Sequence, residues 1–250
     1  MVTGASEGIG KETVLALARE DCAVAFCARR AERLELVAAE AASAGNSVVP
    51  IAADLSRLED VERFVAEATE KLGGVDILVN NAGTSAFATL FELPDERWLE
   101  DIELKLLGYV RAARAVVPHM RATGGRIINV AGNAGKQPLP YHLPGGAANA
   151  GVLNFTLALA QQVAEYGIHV IAVAPGPVRT ARFEKQIGEL AREWKVTPDE
   201  AERRFIAALP LKRVPGPEEI ADVIAFLASE RAGYMTGTTV TVDGGITRGI

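Results

Sequence analysis

Short apolar runs recur at residues 23–28, 47–52, 77–80, 126–130, 169–174 and 238–242, each rich in β-branched side chains and bounded by turn formers. Between them the apolar spacing changes to three and four, the period of an amphipathic helix. Strands that alternate with helices form a parallel sheet. Runs apolar on both faces belong to central strands covered on each side, so the pattern predicts an α/β fold with a doubly wound parallel sheet and helices on both faces. Only Met1 and Val2 precede the first glycine-rich turn, so the first strand is expected to be clipped relative to the usual five or six residues, with a longer native start.

With 250 residues and 49% apolar composition, the chain suffices for one well-buried domain and falls short of two, so 1–250 is read as a single domain. The net charge of −6 comes from interspersed acids and bases, which argues against nucleic acid and for a small-molecule partner. No run approaches the ~18 apolar residues of a membrane span, and no signal-like segment opens the chain, so no membrane association and a cytoplasmic setting are expected. Cys22 and Cys27 fall in one predicted strand region without C-x-x-C spacing. They read as buried free thiols, and no metal site is expected.

Thr3-Gly4-Ala5-Ser6-Glu7-Gly8-Ile9-Gly10 follows the first strand and leads into a helical pattern over 11–19. Glycines allow a tight turn and close backbone approach to a pyrophosphate, while unpaired N–H groups at the helix start favour the anion. This strand, turn and helix context points to a Rossmann-type dinucleotide site built on Gly4, Ser6, Gly8, Ile9 and Gly10. The second strand ends Phe26-Cys27-Ala28-Arg29-Arg30. Ala28 stands where an acid would clasp a ribose 2′-hydroxyl, and Arg29 offers a planar fork for a 2′-phosphate, so NADP(H) is favoured over NAD(H).

The order of the glycine turn, Asp54, Asn80-Asn81-Ala82-Gly83, Pro175-Gly176 and Val242-Asp243-Gly244-Gly245 resembles the short-chain dehydrogenase/reductase family over nearly the whole chain. The resemblance implies that Asp54 bonds the adenine with Leu55 beside it, and that Asn81, Ala82 and Gly83 border the cofactor. It also implies that Pro175, Gly176 and Val178 line the nicotinamide and Thr180 bonds its carboxamide. A homodimer or homotetramer is implied, formed through the helices beginning near Asp95 and Gly146 and through the C-terminal strand.

The same alignment departs from the family at its chemistry. The family's tyrosine and lysine fall on Gly145 and Asn149, its serine on Gly132 and its asparagine on Lys105. Carbonyl reduction needs a proton for the developing alkoxide, and glycine has none to give. On a helix predicted over about 95–120, Lys105 shares the apolar sector of Trp98, Tyr109, Ala112 and Val116. Desolvation there would lower its pKa into a range useful for proton transfer or imine formation. Tyr141 and His142, just before the altered helix, are further candidate donors, and Asn149 can orient a carbonyl or water.

Residues 180–211 carry Phe183, Ile187, Leu190, Trp194, Phe205 and Ile206 at near-helical spacing. They predict two amphipathic helices forming a substrate lid with an apolar underside. Arg179 and Arg182 are candidate partners for an acidic group there. The reading is an NADP(H)-dependent oxidoreductase with a non-standard proton relay, acting on an apolar carbonyl, enone or imine. Its alternative is a non-redox lyase or isomerase, or an inactive nucleotide-binding protein, on the same fold.

Overall fold

The computed structural model describes residues 1–42, 47–84 and 86–248. In chain order its elements are β1 (Val2–Thr3), α1 (Gly8–Arg19), β2 (Val24–Ala28), α2 (Ala31–Ala42), β3 (Val48–Ala52), α3 (Leu58–Leu72) and β4 (Ile77–Asn80). Then come α4 (Asp95–Asp101), a π-helical turn (Ile102–Leu107), α5 (Gly108–Met120), β5 (Gly125–Val130), α6 (Leu143–Val163) and β6 (Ile168–Pro175). The chain closes with α7 (Ala181–Trp194), α8 (Pro198–Ala208), α9 (Pro217–Ala228) and β7 (Thr238–Val242).

The strands form one parallel sheet in the order β3-β2-β1-β4-β5-β6-β7. Alternation along each strand divides the core. Ala25 and Cys27 face Val61, Phe64, Ala112 and Val116 of α3 and α5, with Leu159 and Val163 of α6 completing that layer. Val24 and Phe26 face Val14, Leu34, Ile220 and Ile224 of α1, α2 and α9 on the other side. Each layer buries its apolar stripe against the sheet, which is why the apolar runs lack a polar face. Pro50 has no N–H to give, and β3 accommodates it at the sheet edge.

β1 is two residues long, yet it is held on both sides. Val2 pairs with Phe26 and Val79, and the Val79 N–H donates to Met1 O at 2.8 Å. The direction of winding reverses between β1 and β4, so a crevice opens at the carboxyl ends of these strands, the usual ligand position in such sheets. A buried amide ladder stiffens the crevice floor: Asn80 Nδ2 donates to Asn129 Oδ1, and Asn129 Nδ2 donates to Thr156 Oγ1, each at 2.9 Å.

Two expectations change. Cys27 is buried in β2, but Cys22 precedes that strand and is half-buried, because the turn after α1 runs to Ala23. The single helix expected over 95–120 is interrupted by the π turn, which seats Gly108 against Leu55 O, where a built Cβ would lie 3.1 Å away. No helix among the described residues is long and apolar enough to cross a membrane, and these residues hold no metal-ligating cluster.

Candidate active site

A cleft of about 780 Å³ runs along the carboxyl ends of the strands. Its near wall is the glycine turn. Gly4 has φ +66°, and a Cβ on it would lie 2.6 Å from Ala82 Cα, so only glycine lets the turn lie against the end of β4. Thr3 Oγ1 accepts from the N–H groups of Asn81 and Ala82, at 2.9 and 3.1 Å. Asn81 Nδ2 donates to Thr3 O and Gly4 O. The side chain of one motif thus clamps the backbone of the other.

Most residues assigned from the sequence to the dinucleotide meet here: Gly4, Ser6, Gly8, Ile9, Arg29, Leu55, Asn81, Ala82, Gly83, Pro175, Gly176, Val178 and Thr180 all line the cleft. Two do not. Gly10 lies behind the turn, where a Cβ would collide with Gly4 O. Asp54 is absent from the lining; its Oδ1 accepts from Ser56 N–H and Oγ, at 3.0 and 2.8 Å, in a turn that leads to α3. At the same end, Arg30 joins Arg29 and Ala28 on the wall, while Glu7 pairs with Arg30 at 3.6 Å and Arg33 at 3.4 Å.

The other end gathers Lys105, His142 and Asn149. Lys105 is 6% exposed and points from the π turn past Gly83, with Nζ 6.0 Å from the Tyr109 ring centroid. It makes no hydrogen bond or ion pair with the described residues. Desolvation, reinforced by the nearby Arg182 charge, lowers its pKa to about 7. Asn149 Oδ1 accepts from Gly132 N–H at 2.8 Å, which fixes the amide and leaves Nδ2 as a donor.

Gly145 explains the position of His142. A Cβ on Gly145 would overlap the imidazole, so the ring occupies space that any side chain at 145 would take. The ring stacks on Phe87 with centroids 4.7 Å apart, and Nδ1 lies 3.3 Å from Ala86 O. Burial pushes its pKa below the ordinary histidine value, so the imidazole is neutral at pH 7. Tyr141 is not brought to this end. It is half exposed outside the cleft, its carbonyl accepting from Ala88 N–H, because α6 begins only at Leu143.

Phe87, Leu104 and Ile246 also line the cleft and were not singled out from the sequence. They lie outside any motif, and an isolated apolar residue carries no mark that separates pocket wall from core.

The family model described as enoyl-(acyl carrier protein) reductase matches residues 4–247. The chain is 34% identical over 247 residues to the 3-oxoacyl-[acyl-carrier-protein] reductase FabG of Thermotoga maritima, covering 98% of this chain and 96% of that protein. It belongs to the short-chain dehydrogenase/reductase family. Among solved structures, this short-chain dehydrogenase/reductase superposes on an actinorhodin polyketide ketoreductase with NADPH at a TM-score of 0.95, with 35% identity and 98% and 95% of the two chains covered. The L-sorbose reductase of Gluconobacter frateurii, complexed with NADPH and L-sorbose, gives 0.94 and 35%, covering 100% of this chain and 96% of that one. The chain is therefore an NAD(P)-dependent oxidoreductase, with the single seven-stranded parallel sheet of its relatives.

Proposed function

We propose that the chain is an NADP(H)-dependent reductase of a small carbonyl, enone or imine, in which Lys105 supplies the proton in place of a tyrosine–lysine pair. The observation that carries this reading is a buried lysine that faces the cleft with no hydrogen bond or ion pair to the described residues. The glycine turn fits a dinucleotide, since Gly4 closes on Ala82 and leaves no room for a side chain. Arg29 and Arg30 beside Ala28 fit a 2′-phosphate, in keeping with the NADPH complexes of two similar structures.

When bound, NADPH supplies a hydride to the substrate carbon. Asn149 Nδ2 orients the substrate oxygen, and the Lys105 ammonium transfers a proton to that oxygen as charge develops on it. The neutral amine regains its proton from water in the cleft. A lysine with pKa about 7 holds both forms in comparable amounts at neutral pH, the condition that favours general acid catalysis. Neutral His142, held over Gly145 and stacked on Phe87, packs beside the substrate.

Phe87, Leu104, Leu139 and Phe183 give the cavity an apolar wall, which supports an apolar substrate body. α7 and α8 act as the lid. Phe183, Ile187, Ala201 and Leu209 form a small core separate from the two main ones, so these helices can shift without disturbing the sheet. We also assign the chain to a homo-oligomer, joined through α4, α6 and the C-terminal strand. Leu99 on α4 and Leu157 on α6 expose apolar surface there.

Fluorescence titration with NADPH and NADH in parallel tests the cofactor. Micromolar or tighter NADPH binding, at least about tenfold tighter than NADH, is the expected result, and equal affinity would sink the 2′-phosphate assignment.

A further inference from the structure

Two arginines near the start of α7 have different surroundings. Arg179 is paired with Glu202 at 2.7 Å, lies over the Phe183 ring at 5.6 Å and stands outside the cleft wall. Arg182, in the first turn of the helix, reaches into the cleft. Its NH2 group donates to Gly83 O at 3.0 Å, and it forms no ion pair with the described residues. Arg182 lines the cleft while keeping much of its surface exposed to solvent, and its remaining N–H groups make no hydrogen bond with the described residues.

Lys105 approaches the same glycine, with Nζ 3.4 Å from where a Gly83 Cβ would lie. The Arg182 charge lowers the pKa of Lys105. The nearest acid behind them, Asp101, is 1% exposed, and burial raises its pKa, so it compensates them poorly. Two cations converging on one backbone position, with no carboxylate of the described residues in ion-pair range, leave positive charge facing the cleft, where it favours an anionic ligand.

We infer that Arg182 is a receptor for an oxyanionic group, a substrate carboxylate or the cofactor diphosphate, at the Gly83 end of the cleft. A planar guanidinium with free N–H groups suits the paired oxygens of either. A substrate carboxylate would give the otherwise apolar cavity a fixed binding direction. The inference rests on the dinucleotide reading for one of its two sources and stands apart from it for the other.

The test compares wild type, Arg182→Gln and, as control, Arg179→Gln, each checked for folding by near-UV circular dichroism. NADPH is titrated first. 4-Oxopentanoate and its methyl ester are then titrated onto the NADPH complex, and inorganic diphosphate onto the free protein. Weakening of NADPH by about tenfold or more in Arg182→Gln alone identifies the cofactor diphosphate as the anion. Unchanged NADPH binding with loss of 4-oxopentanoate but not of its ester identifies a substrate carboxylate. Changes below about twofold for every probe overturn the inference. If wild type binds no NADPH, the cofactor reading falls separately. The receptor is then decided on diphosphate and must lose it in Arg182→Gln.

Discussion

The proposed chemistry rests on one residue, Lys105. Its position in an apolar stripe marks it in the sequence, because a cation at such a place must be paired, exposed or directed into a cavity. The structure adds the cavity. Lys105→Met is expected to lower NADPH-dependent turnover of the best substrate by at least about a hundredfold, the usual scale of general acid catalysis. In wild type, the rate limited by proton donation should fall as pH rises through about 7 if the ammonium is the donor, as proposed. Stability has its own pH window. The unfolded chain holds this lysine at the ordinary 10.5 and the folded chain at about 7, so between them the unfolded state binds the extra proton and stability rises with pH. Below about 7 both states are charged and the burial penalty is complete. Lys105→Met should therefore stabilise the fold by on the order of a few kcal/mol at pH 6, with the gain shrinking toward pH 10 in urea titrations. A constant gain across that range would contradict the lowered pKa. Other residues were less legible. Nothing in the spacing separates Arg179 from Arg182, since which one finds an acid depends on where α8 places Glu202. Asp54 has the right position for adenine and a local backbone N–H to satisfy, and in the structure it bonds the local group.

At the level of elements, strand identity was readable because central parallel strands are apolar on both faces, and boundaries moved by only a residue or so at β2, β3, β5 and β6. The π turn was not readable. Its sequence, Ile-Glu-Leu-Lys-Leu-Leu, is ordinary helix-forming material without proline or glycine, and the departure comes from seating Gly108 on Leu55. The amide ladder is a second feature of this scale, joining β4, β5 and α6. The sequence marks Asn80 only as part of a motif and gives no sign that Asn129 and Thr156 lie in line with it. Thr156→Val keeps the shape but leaves Asn129 Nδ2 without its acceptor, so a loss of about 1–3 kcal/mol is expected. Chemical denaturation measures this directly. A neutral substitution would mean that the ladder is not needed to hold the floor of the cleft.

Across the whole molecule, the doubly wound architecture and the place of the cleft follow from the order of strands and helices, whereas assembly depends on surfaces that periodicity does not rank. Leu99, Leu107 and Leu157 read equally well as core from sequence, yet they stand exposed on α4, the π turn and α6. Light scattering is expected to return a dimer or tetramer mass, and a monomer would refute the assembly assigned to these faces. The cleft draws its wall from Gly4 to Ile246, almost end to end along the chain. No fragment carries the site, so only the completed fold can hold the cofactor, and binding acts by mass action on folding itself. At a free NADPH concentration a hundred times Kd, the native state gains about 2.7 kcal/mol. For a chain of this size that gain corresponds to a rise in Tm of roughly 5–10 °C, which differential scanning calorimetry would record. The reduced nicotinamide pool of the cell would then govern how long each molecule survives as well as how fast it turns over, and depletion of that pool would lower enzyme abundance before any change in its synthesis.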